Sequence, residues 1–230
     1  MEPGHAPGGA GMIPWERLDS APVPDGGTLH LYRRGDEYSI RIGYNELMNS
    51  RTHGSEDRLA EAACARLAGD ARVLIGGLGM GFTLAAALRM LGADAAVTVA
   101  ELVPAVVRWN RGPLGGCAGF PLHDARVGVH EGDVGGLLRA AAGAYDAILL
   151  DVDNGPEGLT QKANDWLYGA AGLNAARAAL RPGGVLAVWS AAPDRRFHAR
   201  LQQAGFAVEE LRVRAHGKRG ARHIIWLARK

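Results

Sequence analysis

The chain has 230 residues, of which 47% are hydrophobic, and this size and composition fit one globular domain with a sizeable core. Its formal net charge is only +2, and the isoelectric point of about 8.7 comes from an Arg-rich balance rather than from a basic stripe. These values argue against a dedicated nucleic-acid binder or membrane-surface protein.

The two cysteines, Cys64 and Cys117, lie outside any Cys/His metal pattern, so we expect neither a metal site nor a disulfide. Residues 1–14 are rich in Gly and Pro, with no signal-peptide layout and no apolar run long enough to cross a bilayer. We interpret them as a disordered leader. A reducing cytoplasm is the predicted location, with no membrane partner.

The first elements predicted along the chain are two alternating strands within residues 28–42, joined by a Gly-Asp turn. Ser55 is then predicted to cap a helix over residues 56–67. We therefore assign residues 15–55 to a small N-terminal β-hairpin region and residues 56–230 to an α/β domain.

From residue 72 onward, apolar strands alternate with helices. The predicted strands span residues 72–77, 95–100, 125–133, 145–151 and 185–191, with helices at 82–91 and 104–111 among them, and two more strands end the chain. Such alternation predicts a parallel sheet covered by helices on both faces. The expected fold is α/β: a Rossmann-like, doubly wound, mostly parallel seven-stranded sheet with a C-terminal antiparallel hairpin.

Chemically suggestive residues follow the predicted strands, and ligands of open parallel sheets bind beyond the carboxyl ends of strands. A turn with Gly77, Gly79 and Gly81 follows the first strand and lets a ligand approach the backbone before a helix begins. Glu101 follows the second strand, where a carboxylate accepts both hydroxyl hydrogens of a ribose. Asp133 follows the third strand, where it either binds an adenine amino group or caps the next helix.

The glycine spacing differs from the dinucleotide fingerprint, and no nucleoside triphosphate loop is present. The glycine loop also contains no Lys or Arg to meet a phosphate. Acidic strand ends suit a cation, so the sequence predicts a neutral or positively charged nucleoside as ligand.

Residues 28–191 resemble class I S-adenosylmethionine-dependent transferases and, more narrowly, the spermidine synthase (polyamine aminopropyltransferase) family. The similarity lies in the hairpin lead-in and in the runs VLIGGLGMG, VTVAELVPAVV, HEGD and YDAILLDVDNGP. It implies S-adenosylmethionine or its decarboxylated form as co-substrate, with Glu101 on the ribose and Asp133 by the adenine. It also implies aminopropyl transfer to a small amine, with Asp151 beside the attacking nitrogen, and a possible homodimer.

The resemblance is incomplete before the first strand of the large sheet. The family usually carries a Tyr-His-Glu triplet, whereas this chain has HGSED, in which Glu56 matches the glutamate and Ser55 replaces the histidine. The missing triplet leaves open a catalytically silent nucleoside-binding homologue. Methyl transfer to a small molecule on the same fold is the other alternative.

An amine acceptor needs a proton acceptor beside it. An alkylamine with a pKa of about 10.4 is protonated near neutral pH and then has no lone pair for attack. Asp151 is the candidate catalytic residue, because a carboxylate there attracts the ammonium and accepts its proton. Asp153 and Glu157 are weaker candidates for binding the acceptor's charge, although a plain turn explains them equally well. His53 and Glu56 are further weak substrate-binding candidates.

Overall fold

The computed structural model describes residues 13–24, 26–152, 166–216 and 219–230. These residues form a four-stranded and a seven-stranded sheet, with helices packed against the larger one. The helices are α1 (Gly54–Cys64), α2 (Phe82–Met90), α3 (Pro104–Arg111), α4 (Val134–Ala140), α5 (Ala170–Ala179) and α6 (Arg195–Gln203), with short 3-10 helices at Gly115–Ala118 and Pro121–His123.

The small sheet has the strand order β1-β2-β3-β4, and every neighbouring pair in it is antiparallel. Its strands are β1 (Glu16–Pro22), β2 (Thr28–Arg34), β3 (Glu37–Ile42) and β4 (Asn45–Asn49). The predicted hairpin corresponds to β2 and β3, in which Leu31 lies opposite Ile40. The two flanking strands were not predicted, because their mostly exposed or half-exposed residues lack the alternation that marks a half-buried strand.

Helix α1 begins two residues earlier than predicted, and the prediction that Ser55 caps it is wrong. His53 occupies the N-cap position without a side-chain capping bond, and Ser55 lies buried inside the first turn. The Ser55 hydroxyl bonds instead to Glu56 and His223, so a contact with a distant strand replaces the local capping preference.

The large sheet confirms the predicted doubly wound architecture. Its order is β10-β11-β9-β8-β5-β6-β7; β11 pairs antiparallel with β10 and with β9, and the pairs from β9 to β7 are parallel. The strands are β5 (Arg72–Gly76), β6 (Ala96–Glu101), β7 (Val127–Glu131), β8 (Tyr145–Leu150), β9 (Leu180–Ser190), β10 (Ala207–His216) and β11 (Arg219–Arg229). The chain fills the sheet outward from β5 through β6 to β7 and then returns to the other side of β5. The switch point is therefore the crevice between β5 and β8.

Alternating strand side chains divide the core into two layers on opposite faces of this sheet. Ile75 and Leu149 pack in one layer with residues of α1, α2 and α3, whereas Leu74 and Ile148 pack in the other with residues of α4, α5 and α6. The small sheet adds its buried aliphatic residues to the first layer. Packing on both faces of the sheet thus holds β5 and β8 in place, and with them the residues at their carboxyl ends.

One glycine at the switch point generates a stability prediction. Gly77 follows β5 with φ +90°, and a Cβ atom built on it lies 2.2 Å from the carbonyl oxygen of Asp151. We expect Gly77→Ala to lower the free energy of unfolding by at least ~2 kcal/mol, because left-handed strain adds to a backbone clash. Chemical denaturation measures this loss.

The matched control for this prediction is Gly128→Ala on β7. A Cβ atom at Gly128 meets nothing within 4 Å, and its φ is not in the left-handed region. Equal effects of the two substitutions on the free energy of unfolding would contradict the close approach of Gly77 to β8.

Candidate active site

Two adjoining cavities open at the switch point. The first, which we call the glycine-loop cavity, has a volume of about 260 Å³. It brings together most of the residues predicted from the strand ends: Gly77, Gly79, Glu101, Asp133 and Asp151 all line it. Aliphatic residues of the small sheet and of the loops after β6 and β7 form the rest of its wall, among them Ile40, Ile42, Met48, Val103 and Val134.

Gly81 occupies a different position from the other two predicted loop glycines. It is the N-cap residue of α2, and a Cβ atom on it would face Asn110 and Pro121. Gly81 is not among the described residues that line the glycine-loop cavity. In the structure it therefore lies at the start of the helix rather than on the cavity wall.

Glu101 connects the loops that follow β5 and β6. Its side chain is buried, with only 8% of the residue exposed. One carboxylate oxygen accepts the N–H of Leu78 at 2.9 Å, and the other accepts the N–H of Val103 at 2.8 Å. These charge-assisted bonds hold the carboxylate in one orientation at the cavity wall.

Asp133 caps α4, as one of the two interpretations expected, and it also lines the cavity; its adenine-binding role stays a prediction. Its Oδ1 accepts the N–H of Gly135 at 2.9 Å, and Arg139 lies 3.3 Å from its Oδ2. About half of the side chain remains exposed. The capping bond therefore fixes the carboxylate without burying it.

Asp151 directly follows β8 and is held by neighbouring elements. Its backbone N–H donates to the carbonyl of Gly76 at 2.9 Å, and its Oδ2 accepts the hydroxyl of Thr83 at 2.5 Å. Burial and the nearby negative charge of Glu56 raise the pKa of Asp151 to about 7, while the Thr83 hydrogen bond opposes the rise. The residue is thus able to exchange a proton near neutral pH.

The second cavity, which we call the α1 cavity, has a volume of about 280 Å³. It shares with the glycine-loop cavity the residues Leu47, Met48, Gly79 and Asp151. Among the described residues, Asp151 is the ionisable side chain common to both. It therefore lies where a ligand of one cavity meets a ligand of the other.

Glu56 lines the α1 cavity near Asp151. Burial raises the pKa of Glu56, and a hydrogen bond of 2.7 Å from the Ser55 hydroxyl partly offsets that rise. His53 lies outside the lining: its Nδ1 is 2.8 Å from Asp57, and its ring stacks on Phe82 with centroids 4.3 Å apart. Glu56 and His53, both at the N-terminal end of α1, thus have different surroundings.

The weaker acceptor-side candidates Asp153 and Glu157 lie outside the described residues. Within the described ranges, no three His, Cys, Asp or Glu side chains are grouped as metal ligands. No helix there is long and apolar enough to span a bilayer.

Comparison with solved structures gives the fold. A spermidine synthase in complex with the transition state analogue AdoDATO matches with a TM-score of 0.75 at 16% identity, covering 93% of this chain and 72% of that one. A spermidine synthase from Thermotoga maritima matches with a TM-score of 0.76, also at 16% identity and over 93% and 72% of the two chains. The chain has the spermidine synthase fold.

The same fold extends to a methyltransferase. Precorrin-6y C5,15-methyltransferase from Geobacter metallireducens GS-15 matches with a TM-score of 0.55 at 16% identity, over 76% of this chain and 88% of that one. The sequence matches no protein-family model and no curated protein. The family resemblance seen in the sequence motifs is thus confirmed at the level of the fold.

Within this spermidine synthase fold, sequence reasoning missed several side chains of the α1 cavity, among them Thr83, Trp189 and His223. Thr83 had a signal, since it is a polar residue in the apolar first turn of the helix that follows the glycine loop. Trp189 and His223 had none, because β9 and β11 are distant in sequence from the other residues of the cavity.

The raised pKa of Asp151 generates a prediction for two substitutions of opposite sign. Glu56→Gln removes a nearby negative charge and should lower the pKa of Asp151. Thr83→Val removes a hydrogen bond to the carboxylate and should raise that pKa. Carbon-13 NMR of the aspartate carboxyl groups against pH measures both shifts.

Glu61→Gln serves as the control for the Glu56 substitution. Glu61 lies on the same helix, but it pairs with Arg58 at 2.6 Å and does not line the α1 cavity. If Glu61→Gln shifts the pKa of Asp151 as much as Glu56→Gln does, the local charge of Glu56 is not the cause.

Proposed function

We propose that this protein is a transferase that moves an aminopropyl group from decarboxylated S-adenosylmethionine to a small amine. The observation that carries the proposal is the position of Asp151, which lines both cavities and has a pKa near neutrality. A reaction between two ligands needs them to meet, and the residue at that meeting point is a suitable proton acceptor.

The glycine-loop cavity suits the adenosyl donor. Its described lining contains two strand-end carboxylates beyond Asp151, those of Glu101 and Asp133, and no Lys or Arg. In this proposal the Glu101 carboxylate accepts the ribose hydroxyls, and Asp133 accepts from the adenine amino group. The aliphatic wall encloses the nucleoside, and the acidic side chains favour its sulfonium charge.

The lining of the glycine-loop cavity favours a donor without a carboxylate. Gly77 donates its N–H to the carbonyl of Ala100, Leu78 donates to Glu101, and Gly81 donates to the carbonyl of Leu78, so these three N–H groups are engaged within the protein. The described lining contains no cationic side chain to pair with a donor carboxylate, which favours the decarboxylated donor over S-adenosylmethionine itself.

The α1 cavity suits the amine. Near neutral pH the acceptor arrives as an ammonium, which Asp151 and Glu56 attract. As the amine nitrogen forms its bond to the donor carbon, the carbon–sulfur bond breaks and its electron pair stays on sulfur. The ammonium must lose a proton before attack, and a base with a pKa near 7 is matched to that transfer at physiological pH.

Methyl transfer is the second candidate, and the likeness to a precorrin methyltransferase favours it. The same displacement operates when the carbon is a methyl group and the donor is S-adenosylmethionine. The roles of Glu101, Asp133 and Asp151 are unchanged in that case, so the structure of the carboxylate cluster serves both reactions.

Product analysis separates these reactions. Purified protein is incubated with each donor and with a panel of monoamines, diamines and polyamines, and product masses are recorded. An aminopropylated amine supports the proposal, and a methylated product supports the second candidate. A nucleoside that binds without turnover identifies a catalytically silent homologue and overturns both.

Substitution of Asp151 tests its assigned role. Asp151→Asn keeps the shape of the side chain but removes the base, so we expect turnover to fall at least ~100-fold. The donor dissociation constant, measured by calorimetry, should change by no more than about twofold, since Glu101 and Asp133 remain.

Asp94→Asn is the control, because Asp94 is an exposed residue in the turn before β6 and lines neither cavity. It should leave turnover unchanged. Wild-type turnover in the Asp151→Asn variant would remove Asp151 from the mechanism.

A further inference from the structure

Gly79 lines both cavities, so the conformation of its backbone affects the ligands of each. Its φ of +53° lies in the left-handed region, which glycine adopts without strain. On one side, the sulfur of Met48 lies 3.0 Å from the position of a Cβ atom on Gly79. A glycine in a loop has many accessible conformations, so a bonding partner is needed to select one of them.

The partner of the Gly79 carbonyl is a buried side chain of α3. Nδ2 of Asn110 donates to this carbonyl at 2.8 Å and to the carbonyl of Val106 at 2.9 Å. Because both partners are carbonyl oxygens, the amide nitrogen must be the group that faces them. Asn110 is 1% exposed and is not among the described residues that line either cavity. Its bond therefore reaches the loop from outside both cavities.

The Asn110 bond completes the fixation of the loop. Glu101 accepts the N–H of Leu78, and the carbonyl of Leu78 accepts the N–H of Gly81. The next carbonyl along the chain, that of Gly79, is the one that Asn110 holds. Side chains from β6 and from α3 thus fix successive peptide groups of the same turn.

The other end of the Asn110 amide has no hydrogen-bond partner among the described residues. Its Oδ1 is buried and lies 3.0 Å from the position of a Cβ atom on Gly81. A buried polar atom without a partner lowers stability. The neighbours of Asn110 on α3 include the buried Val106, Val107 and Trp109, among which an apolar side chain of similar size would avoid that cost. Stability alone therefore does not account for an asparagine here, whereas control of the loop carbonyl does.

We infer that Asn110 is a positioning residue for the adenosyl donor, which acts through the Gly79 carbonyl and keeps the glycine loop in the conformation that binds the nucleoside. Without this bond, the peptide group after Gly79 is free to rotate at a glycine next to the donor. A loop that is fixed before binding has no ordering cost to meet when the donor arrives. The inference rests on the proposed function, since it takes an adenosyl donor as the ligand of the glycine-loop cavity.

The first test uses the wild type alone. Hydrogen exchange of the Asn110 side-chain amide is followed by NMR in the free protein and with S-adenosylmethionine or its decarboxylated form. Both hydrogens are engaged, so we expect slow exchange in the free protein and exchange no faster after a donor binds. Rapid exchange in either state overturns the inference, because the bond is then not formed before binding or does not persist in the complex.

The second test is donor binding by Asn110→Leu, which keeps the approximate size of the side chain and removes its N–H groups. We expect the donor dissociation constant, measured by calorimetry, to rise about 10-fold, the effect of one lost hydrogen bond. The midpoint of chemical denaturation should stay close to that of the wild type, because the unpaired Oδ1 is removed as well.

Steady-state kinetics gives a readout that a purely structural role would not change. In Asn110→Leu we expect the KM for the donor to rise about 10-fold and kcat to change by no more than about twofold, because saturating donor restores the loop conformation. Asn110→Ala removes the amide without adding bulk beside Gly81, and it should show the same split. Should neither variant fold, the exchange measurement on the wild type decides the inference.

Trp226→Phe is the matched control. Trp226 is also 1% exposed, and its Nε1 has no hydrogen-bond partner among the described residues. It lies on β11 in the opposite core layer and is not among the described residues that line either cavity. The substitution removes a buried unpaired polar atom, as Asn110→Leu does, but the donor dissociation constant should equal that of the wild type.

The outcomes separate this inference from the proposed function. A folded Asn110→Leu variant that binds the donor as tightly as the wild type overturns the inference and leaves the proposed function standing. Equal losses of donor affinity in Asn110→Leu and Trp226→Phe assign the loss to general destabilisation and also overturn it. If the wild type binds a donor but transfers no group, the proposed function fails, while the dissociation constants still decide the role of Asn110. A wild type that binds neither donor overturns both.

Discussion

The position of Asp151 depends on a backbone contact at the centre of the large sheet. Its N–H donates to the carbonyl of Gly76, and its own carbonyl lies against Gly77, where no side chain fits. The contact joins the ends of β5 and β8 at the point where the strand order reverses. Because both strands are buried on both faces, the sheet transmits this constraint to the carboxylate at the junction of the two cavities.

Burial gives the Asp151 carboxylate a pKa suited to proton transfer, but it also lowers the stability of the folded state. Removal from water and the charge of Glu56 raise the pKa of Asp151, and one hydroxyl, that of Thr83, stabilises its ionised form. An exposed aspartate would be more favourable for the folded state, but it would be too weak a base to take a proton from an ammonium near pH 7. A carboxyl group whose pKa is raised by burial and by a neighbouring charge is characteristic of functional sites.

The sequence predicted the features that depend on strand order and on local pattern. Glu101, Asp133 and Asp151 converge because the ends of parallel strands share one edge, and apolar runs locate those ends. Ser55 was misassigned because capping preference is a local property, whereas its hydroxyl is bonded to His223 across 168 residues. Neither the sequence of α1 nor that of β11 contains a pattern that predicts contact between these two elements.

Met48 on β4, a strand that the sequence did not predict, forms part of the wall between the two cavities. It lines both of them, and its sulfur lies 3.0 Å from the position of a Cβ atom on Gly79. A thioether on three rotatable bonds is an adjustable partition. A change of its rotamer therefore alters the space on both sides at once, which couples the shapes of the two cavities through one side chain.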